Sequence, residues 1–325
     1  MKPFVKYPGG KQKELPLIEK YKPTTIKRFF EPFVGGGSVY LNINVKSSFI
    51  NDKSNDLISL YRFIKEQNKD FYSYLEELDE LWHLVECDNF KSNLIDLRLF
   101  KKYQEQSYKL KSKKIMKFES EGLKVSKEDK KAILITSKKT ALYMCIRDIY
   151  NNEKDNIPLR AAVFYFMREY CYSSMFRFSK TGKFNVPYGG KSYDYKYMTA
   201  KIQLMKSAEI QEYFSATEIY NLDFEEFLDE FELCESDFIF LDPPYDSEFS
   251  TYDNNSFDKT EQVRLANFLK KTKAKWMLVI KKTDFIYNLY KDFKILTYDM
   301  NYLVSFKNRN DREVEHLLIT NYEVM

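Results

Sequence analysis

The sequence predicts an α/β fold: a mainly parallel sheet covered on both faces by helices, with a second, mainly helical region inserted into it. Three observations carry this expectation. Short apolar runs alternate with helical patterns up to about residue 65 and again from about residue 216. One of these runs, Phe238-Ile239-Phe240-Leu241, is apolar throughout and stops at Asp242-Pro243-Pro244. That is how a strand buried on both faces ends, because two prolines have no N–H for a ladder. Between residues 66 and 215 the chain turns to helical stretches rich in Phe, Tyr and Leu. The expected domains are therefore 1–65 with 216–325, and 66–215.

Composition narrows the class. At 325 residues, 44% of them hydrophobic, the chain is long enough for a full α/β domain plus an insertion with its own core. The formal charge of +4 is mild and says little until the lysines are located. Cys87, Cys145, Cys171 and Cys234 lie far apart with no Cys-x-x-Cys, and there are two histidines. This argues against a metal site or a disulfide framework and for a reducing cytoplasm. The start lacks the apolar core of a signal peptide, and no stretch approaches membrane-spanning length, so a soluble, cytoplasmic protein is expected.

In chain order, Tyr7-Pro8-Gly9-Gly10-Lys11 combines a ring, a tight turn and a cation, and taken alone is a loop with a lysine. Ile26 to Val34 feeds Gly35-Gly36-Gly37-Ser38 and a short helical run, Val39 to Ile43. A strand, a glycine turn and a helix let backbone N–H groups approach a ligand closely. The spacing is not Gly-x-Gly-x-x-Gly, which counts against nicotinamide and flavin cofactors. A second strand, Ser47 to Ile50, ends at Asn51-Asp52. Asp52 stands where an acid meets ribose hydroxyls in nucleotide-type sites, or else caps the helix that follows. In that helix Leu57, Leu60, Tyr61 and Ile64 repeat at core spacing.

Lysines crowd the stretch from 101 to 139, interleaved with Tyr103, Tyr108 and Phe118. Both a solvated face and a phosphate-contacting surface fit this pattern. Arg168 to Lys191 is more specific. Two extended runs flank Lys180-Thr181-Gly182-Lys183, as in a β-hairpin, and bring Arg177, Lys183, Asn185 and Lys191 beside Tyr172 and Tyr188. Cations for phosphates, amides for base edges and rings for stacking suit a DNA-reading ribbon. After Thr217 a strand ends at Asp223-Phe224, which either takes an adenine or caps the helix from Glu225. A polar loop, Asp246 to Lys259, is long enough for a lid. A helix then runs from Thr260 to Lys271, with strands at Trp276–Ile280, Phe293–Thr297 and Glu315–Asn321.

The tetrapeptide Asp242-Pro243-Pro244-Tyr245 sits at a strand's carboxyl end, where open α/β sheets keep their ligands. Asp242 and the Pro243 carbonyl, held stiff by Pro244, would accept N–H bonds from a flat amino-bearing heterocycle, and Tyr245 would stack on it.

Together these stretches resemble the Dam-type (D12 class, group alpha) DNA adenine-N6 methyltransferases. The matching pieces are Lys6 to Lys11, Glu31 to Ser38, Asn51-Asp52, Phe184 to Gly189, Asp223-Phe224, Asp242 to Tyr245 and Glu315 to Tyr322, in the family's order. The resemblance implies a Rossmann-like S-adenosylmethionine-dependent methyltransferase sheet and an inserted target-recognition domain carrying the hairpin. It implies S-adenosylmethionine as cofactor, held by Tyr7, Lys11, Phe33, Gly35, Gly37, Asp52, Asp223, Phe224 and Asp242. Catalysis would fall to Asp242, Pro243, Pro244 and Tyr245. Double-stranded DNA would meet Tyr172 (the candidate to wedge into the stack), Ser173, Arg177, Lys183, Asn185, Pro187 and Lys191. The implied activity is methyl transfer to a flipped adenine, by a solitary methylase or by the modification enzyme of a restriction-modification system whose endonuclease acts separately. Cytosine-N4 methylation of DNA and guanine-N2 methylation of ribosomal RNA are the alternatives. Three departures bear on the target sequence: Ser173-Ser174 where relatives often have Asn-Gly, a longer lysine-rich region, and Lys281-Lys282-Thr283-Asp284 after the fifth strand.

Overall fold

β1 (Arg28–Glu31), β2 (Ser48–Asn51), β3 (Thr217–Tyr220), β4 (Asp237–Leu241), β5 (Lys275–Lys281), β6 (Lys294–Asn301) and β7 (Glu313–Thr320) form one sheet in the order β3-β2-β1-β4-β5-β7-β6. The computed structural model describes residues 1–7, 9–87, 91–122, 124–244, 257–301 and 313–323. The chain divides into two compact units. Met1–Pro3, Gly9–Ile58 and Glu212–Met325 make the first; Phe4–Pro8 and Ser59–Gln211 make the second. All the strands named belong to the first unit.

The helices are α1 (Leu15–Tyr21), α2 (Asn55–Glu66), α3 (Lys69–Leu84), α4 (Leu97–Ser120), α5 (Lys127–Asn152), α6 (Ile157–Tyr170), α7 (Thr199–Lys206), α8 (Ala208–Ser215), α9 (Phe224–Asp229), α10 (Lys259–Lys271) and α11 (Asp284–Tyr290). None among the described residues is long and apolar enough to cross a membrane.

In the first unit, β3, β2, β1, β4 and β5 run parallel. β7 enters antiparallel between β5 and β6, an insertion that strand patterns alone do not reveal. The central strands are apolar because both faces are covered: all five residues of β4 are buried. One face packs Phe30, Ile239 and Leu241 against Phe227 and Leu228 of α9, Leu265 of α10 and Tyr290 of α11. The register pairs Arg28 with Asp237, and Arg28 grips that carboxylate through two nitrogens at 2.8 and 2.6 Å. This bidentate pair locks β1 to β4 at their starts. The run Val39 to Ile43, read as a helix, makes only one tight turn at Tyr40–Asn42. Its β-branched ends and its length are too little to propagate a helix.

In the second unit, α4 packs on α5, and α6 on α3 and α5. The core is aromatic: Trp82 lies 4.3 Å from Tyr170 and 5.5 Å from Tyr188, centroid to centroid. Fully buried Lys139 stands 4.7 Å over the Trp82 ring and 3.2 Å from Glu86, which makes an interior ammonium tolerable.

Candidate active site

The tips of β1 and β2 are tied together by the glycine turn. Past Glu31, the Val34 N–H donates to the Asn51 carbonyl at 2.9 Å and the Gly35 N–H to Asp52 Oδ2 at 3.0 Å. Gly35 and Gly37 have φ of 48° and 72°, a region that a side chain makes costly. Asp52 Oδ1 also accepts from the Ser54 N–H at 2.9 Å. Asn51, a residue the sequence offers no role for, proves to be the rivet. Its amide donates to the carbonyls of Pro32 and Leu222 and accepts from the Leu222 N–H at 2.8 Å.

At the tip of β4, Asp242 Oδ1 lies 2.7 Å from Lys11 Nζ; the two side chains are 20% and 3% exposed. Lys11 also donates to the Gly9 carbonyl at 2.9 Å, so the turn before it and the strand tip share one cation. Lys11 begins a 3-10 turn whose carbonyl accepts the Glu14 N–H. Glu14 is itself buried. It accepts from the Tyr298 hydroxyl at 3.0 Å and sits 3.3 Å from Nδ1 of fully buried His316. A run of buried polar groups thus extends from β7 to Asp242. Pro244 is exposed, but its carbonyl accepts from Gln262 of α10 at 3.1 Å. Tyr245 and the polar loop up to residue 256 lie outside the described residues.

Glu31 joins these tips electrostatically. It is 2% exposed, and its Oε2 has no hydrogen-bond partner among the described residues. Burial, then the nearby charges of Asp242 and Asp52, push its carboxyl well above the usual range. Burial also raises Asp242, against the pull of Lys11, and raises Asp52, against its backbone N–H bonds. Because Glu31 feels both aspartates, the glycine turn and the Asp242 tip share one electrostatic neighbourhood.

Asp223 and Phe224 are committed to the fold more heavily than an open adenine site would need. Asp223 caps α9 in a capping box with Glu226, and Arg264 of α10 grips both its oxygens at 2.8 Å. Burial works to raise the Asp223 carboxyl, but Arg264 outweighs it and holds the group below its ordinary range. The Arg264 guanidinium also lies 4.3 Å from the Phe224 ring, which packs against Phe33 and Phe257. The cap is thus realised. An adenine contact would use lone pairs of Asp223 that Arg264 leaves over.

The remaining expected residues belong to the second unit. Tyr7 is half-buried, its ring 4.8 Å from the guanidinium of Arg168; Phe176 lies 4.5 Å from the same group. Arg168 is buried and donates to the Lys6 carbonyl at 2.9 Å, so it fixes the Tyr7 segment. The stretch from Tyr170 to Gly189 folds back on itself through antiparallel bridges Cys171↔Tyr188 and Phe178↔Phe184 and a turn closed by Ser179 and Lys183. Along its return arm the burial alternates. Phe184, Val186 and Tyr188 point into the core, where Asn151 and Tyr143 of α5 hold the backbone of Phe184 and Val186; Lys183, Asn185 and Pro187 are exposed. Tyr172, Ser173, Arg177 and Lys191 are exposed as well. Ser173 and Ser174 have φ of 51° and 52°, a conformation Asn and Gly adopt more cheaply.

The family described as D12 class N6 adenine-specific DNA methyltransferase matches residues 7–303. The chain belongs to this family. It is an adenine-N6 DNA methyltransferase, and cytosine-N4 and ribosomal-RNA activities are set aside. This D12-class enzyme is 29% identical to the type II methyltransferase M.CviBI of Paramecium bursaria Chlorella virus NC1A, over 99% of this chain and 100% of the viral protein. It is 30% identical to M.MjaIII, a type II methyltransferase of Methanocaldococcus jannaschii, over 99% of both chains. With the DNA adenine methylase of Salmonella typhi it shares 25% identity over 81% of this chain and 73% of that one. The mixed α/β sheet is consistent with a methyltransferase of this kind.

Proposed function

We propose that this enzyme takes its methyl group from S-adenosylmethionine and delivers it to an adenine turned out of duplex DNA, with Asp242 at the reacting end. The supporting observation is the clustering of Glu31, Asp52 and Asp242 at three strand tips, one of them bound to Lys11. The chemistry of the donor set fits the cofactor. Gly35 and Gly37 leave room at the turn, Asp52 suits ribose hydroxyls, and the unpartnered Glu31 oxygen suits an ammonium donor. When bound, S-adenosylmethionine supplies an electrophilic methyl carbon.

The chain's own residues then do the following. Asp242 Oδ2 and the Pro243 carbonyl accept the two amino protons of the adenine, which favours charge build-up at nitrogen. Lys11 holds the carboxylate in one orientation and favours its charged form against the effect of burial. Pro244 and Tyr245 fix the ring, and much of the acceleration is positioning. Asp242 need not be a strong base, because the transferred proton becomes acidic only once the methyl has arrived. Lys11, Phe33, Asp223 and Phe224 complete the cofactor's surroundings in this reading. The segment 66–215 reads the DNA through Tyr172, Ser173, Arg177, Lys183, Asn185, Pro187 and Lys191, while 1–65 with 216–325 catalyse. Such an enzyme works where the genome is, in the cytoplasm, either alone or as the modification partner of a separate endonuclease.

Tritiated methyl transfer to plasmid DNA, followed by nucleoside analysis, tests the chemistry. Label in N6-methyladenine that disappears in Asp242→Asn supports it, and undiminished label in that variant overturns the role of Asp242.

A further inference from the structure

We propose that the outward face of α4 is a second DNA-contacting surface, a rigid cationic rail that lengthens the footprint beyond the recognition residues; this rests on the DNA-methylating reading above. Residues 101–139 hold thirteen lysines against five acids, +8 in a chain whose net charge is +4, so everything else sums to −4. Lys111, Lys138 and Lys139 turn inward, and the exposed remainder still concentrates attraction for a polyanion in one helical pair. At 3.6 residues per turn, Lys102, Lys109, Lys113 and Lys117 fall within about 80° of one another and span roughly 22 Å of helix. All four are exposed. Gln106 and Ser120 share this face and no acid does; among the described residues, Lys117 is the one of the four that reaches an acid, Glu121, at 3.8 Å around the helix.

The opposite side of α4 is anchored. The Tyr103 hydroxyl donates to Asp148 of α5 at 2.6 Å, and Lys111 donates to Ser107 and Thr140 at 2.9 Å. Asp96 caps the start of the helix. The stripe is therefore presented by a fixed element. Its spacing also argues against a merely solvated face. Lys109, Lys113 and Lys117 are successive i,i+4 neighbours, and like charges there cost a few tenths of a kcal/mol each, where alternating Glu would stabilise. Repulsion of this kind is relieved when phosphates lie across the stripe. The contacts would be sequence-independent and governed by counterion release.

The test compares three full-length proteins on one duplex containing the methylation site: the wild type, K102Q/K109Q/K113Q/K117Q, and K270Q/K271Q/K273Q/K291Q. The last removes the same charge from exposed lysines of the first unit. Each phosphate contact adds about 0.9 to the slope of log affinity against log salt, so the α4 variant should lose up to roughly 3.6. A loss of two or more in the α4 variant, with less than one in the control, supports the rail. A smaller loss in the α4 variant, an equal loss in the control, or a loss seen with duplex RNA and not DNA overturns it. Methyl transfer to DNA by the wild type is measured alongside. If it is absent, the functional reading fails; if it is present while the slope is unchanged, only the rail fails.

Discussion

Lys11→Met removes the cation beside Asp242 and tests how far that cation favours the charged form of the carboxylate. At 2.7 Å, with partners 3% and 20% exposed, the gross attraction is roughly 6 kcal/mol at an effective dielectric of about 20. Desolvation of both groups offsets much of it, yet deleting one partner of such a pair still costs about 3–5 kcal/mol, because the other charge is left buried. Asp242 can escape part of that cost by taking up a proton. Burial already raises its pKa and Lys11 is the chief influence lowering it, so the variant's pKa moves further up. A protonated Asp242 cannot accept the amino hydrogens equally well. Transfer therefore rises with pH as the carboxyl ionises, and in the variant this limb moves to higher pH. The stability sign is opposite. A carboxyl whose folded pKa is raised contributes its stability below its unfolded value and loses it as pH climbs through the folded one. Lys11→Met should thus unfold more easily as pH rises while its residual activity grows. At pH 7 transfer should drop about a hundredfold, the scale of losing one preorganised electrostatic partner. Single-turnover methyl transfer from pH 6 to 9, with urea unfolding alongside, checks this. An activity profile parallel to wild type, with under about 1 kcal/mol of stability lost, refutes the reasoning.

Other substitutions probe separate parts. Asp242→Ala should abolish turnover while equilibrium dialysis shows cofactor binding largely intact; full activity would refute the assigned role. Arg264→Ala removes the grip on Asp223 and should cost about 1–2 kcal/mol at pH 7, discounted for the one-third exposure of the arginine. Because Asp223 is held below its ordinary pKa, that stability is present above the unfolded value and lost as pH falls, so the two proteins should converge in acid. Ser174→Gly relieves a left-handed backbone and should stabilise by about 0.5–1 kcal/mol, read from the urea midpoint. Arg177 is exposed, and its Nε donates to Asn185 at 3.1 Å; on the proposed reading that it contacts bases, Arg177→Ala should weaken DNA binding by about 1–3 kcal/mol without altering cofactor binding.

What could be read in advance depended on whether a residue's partner lay nearby in sequence. The strand ending at Asp242, the glycine turn and the Asp52 tip are local patterns, and the fold realises them within a residue or two. Asp223 showed both of its options for the same reason: a cap is written in the next three residues. Its partner Arg264 comes from another helix, and nothing near Asp223 announces it. Glu31 looked like the first letter of a glycine motif, and its burial beside two aspartates follows only from strand order. Arg168, clasped between Tyr7 and Phe176, and the link from Glu14 to His316 join segments remote along the chain. The insertion of β7 is of this kind too, since an apolar strand pattern is the same whether its neighbours run with it or against it. The serines at 173 and 174 are legible as a departure from the family pattern, but their backbone strain is visible only in the dihedral angles.

The position of β7 has a consequence for how the enzyme comes into being. Synthesis delivers Asp242, Lys11 and the glycine turn well before Glu313–Thr320, yet that late strand is the wedge that seats β6 and brings His316 to the turn from which Lys11 reaches Asp242. A nascent chain would carry every reactive group without the brace that aims them. The surroundings of Glu14 and Lys11 are thus completed by a strand that is synthesised after every residue it steadies.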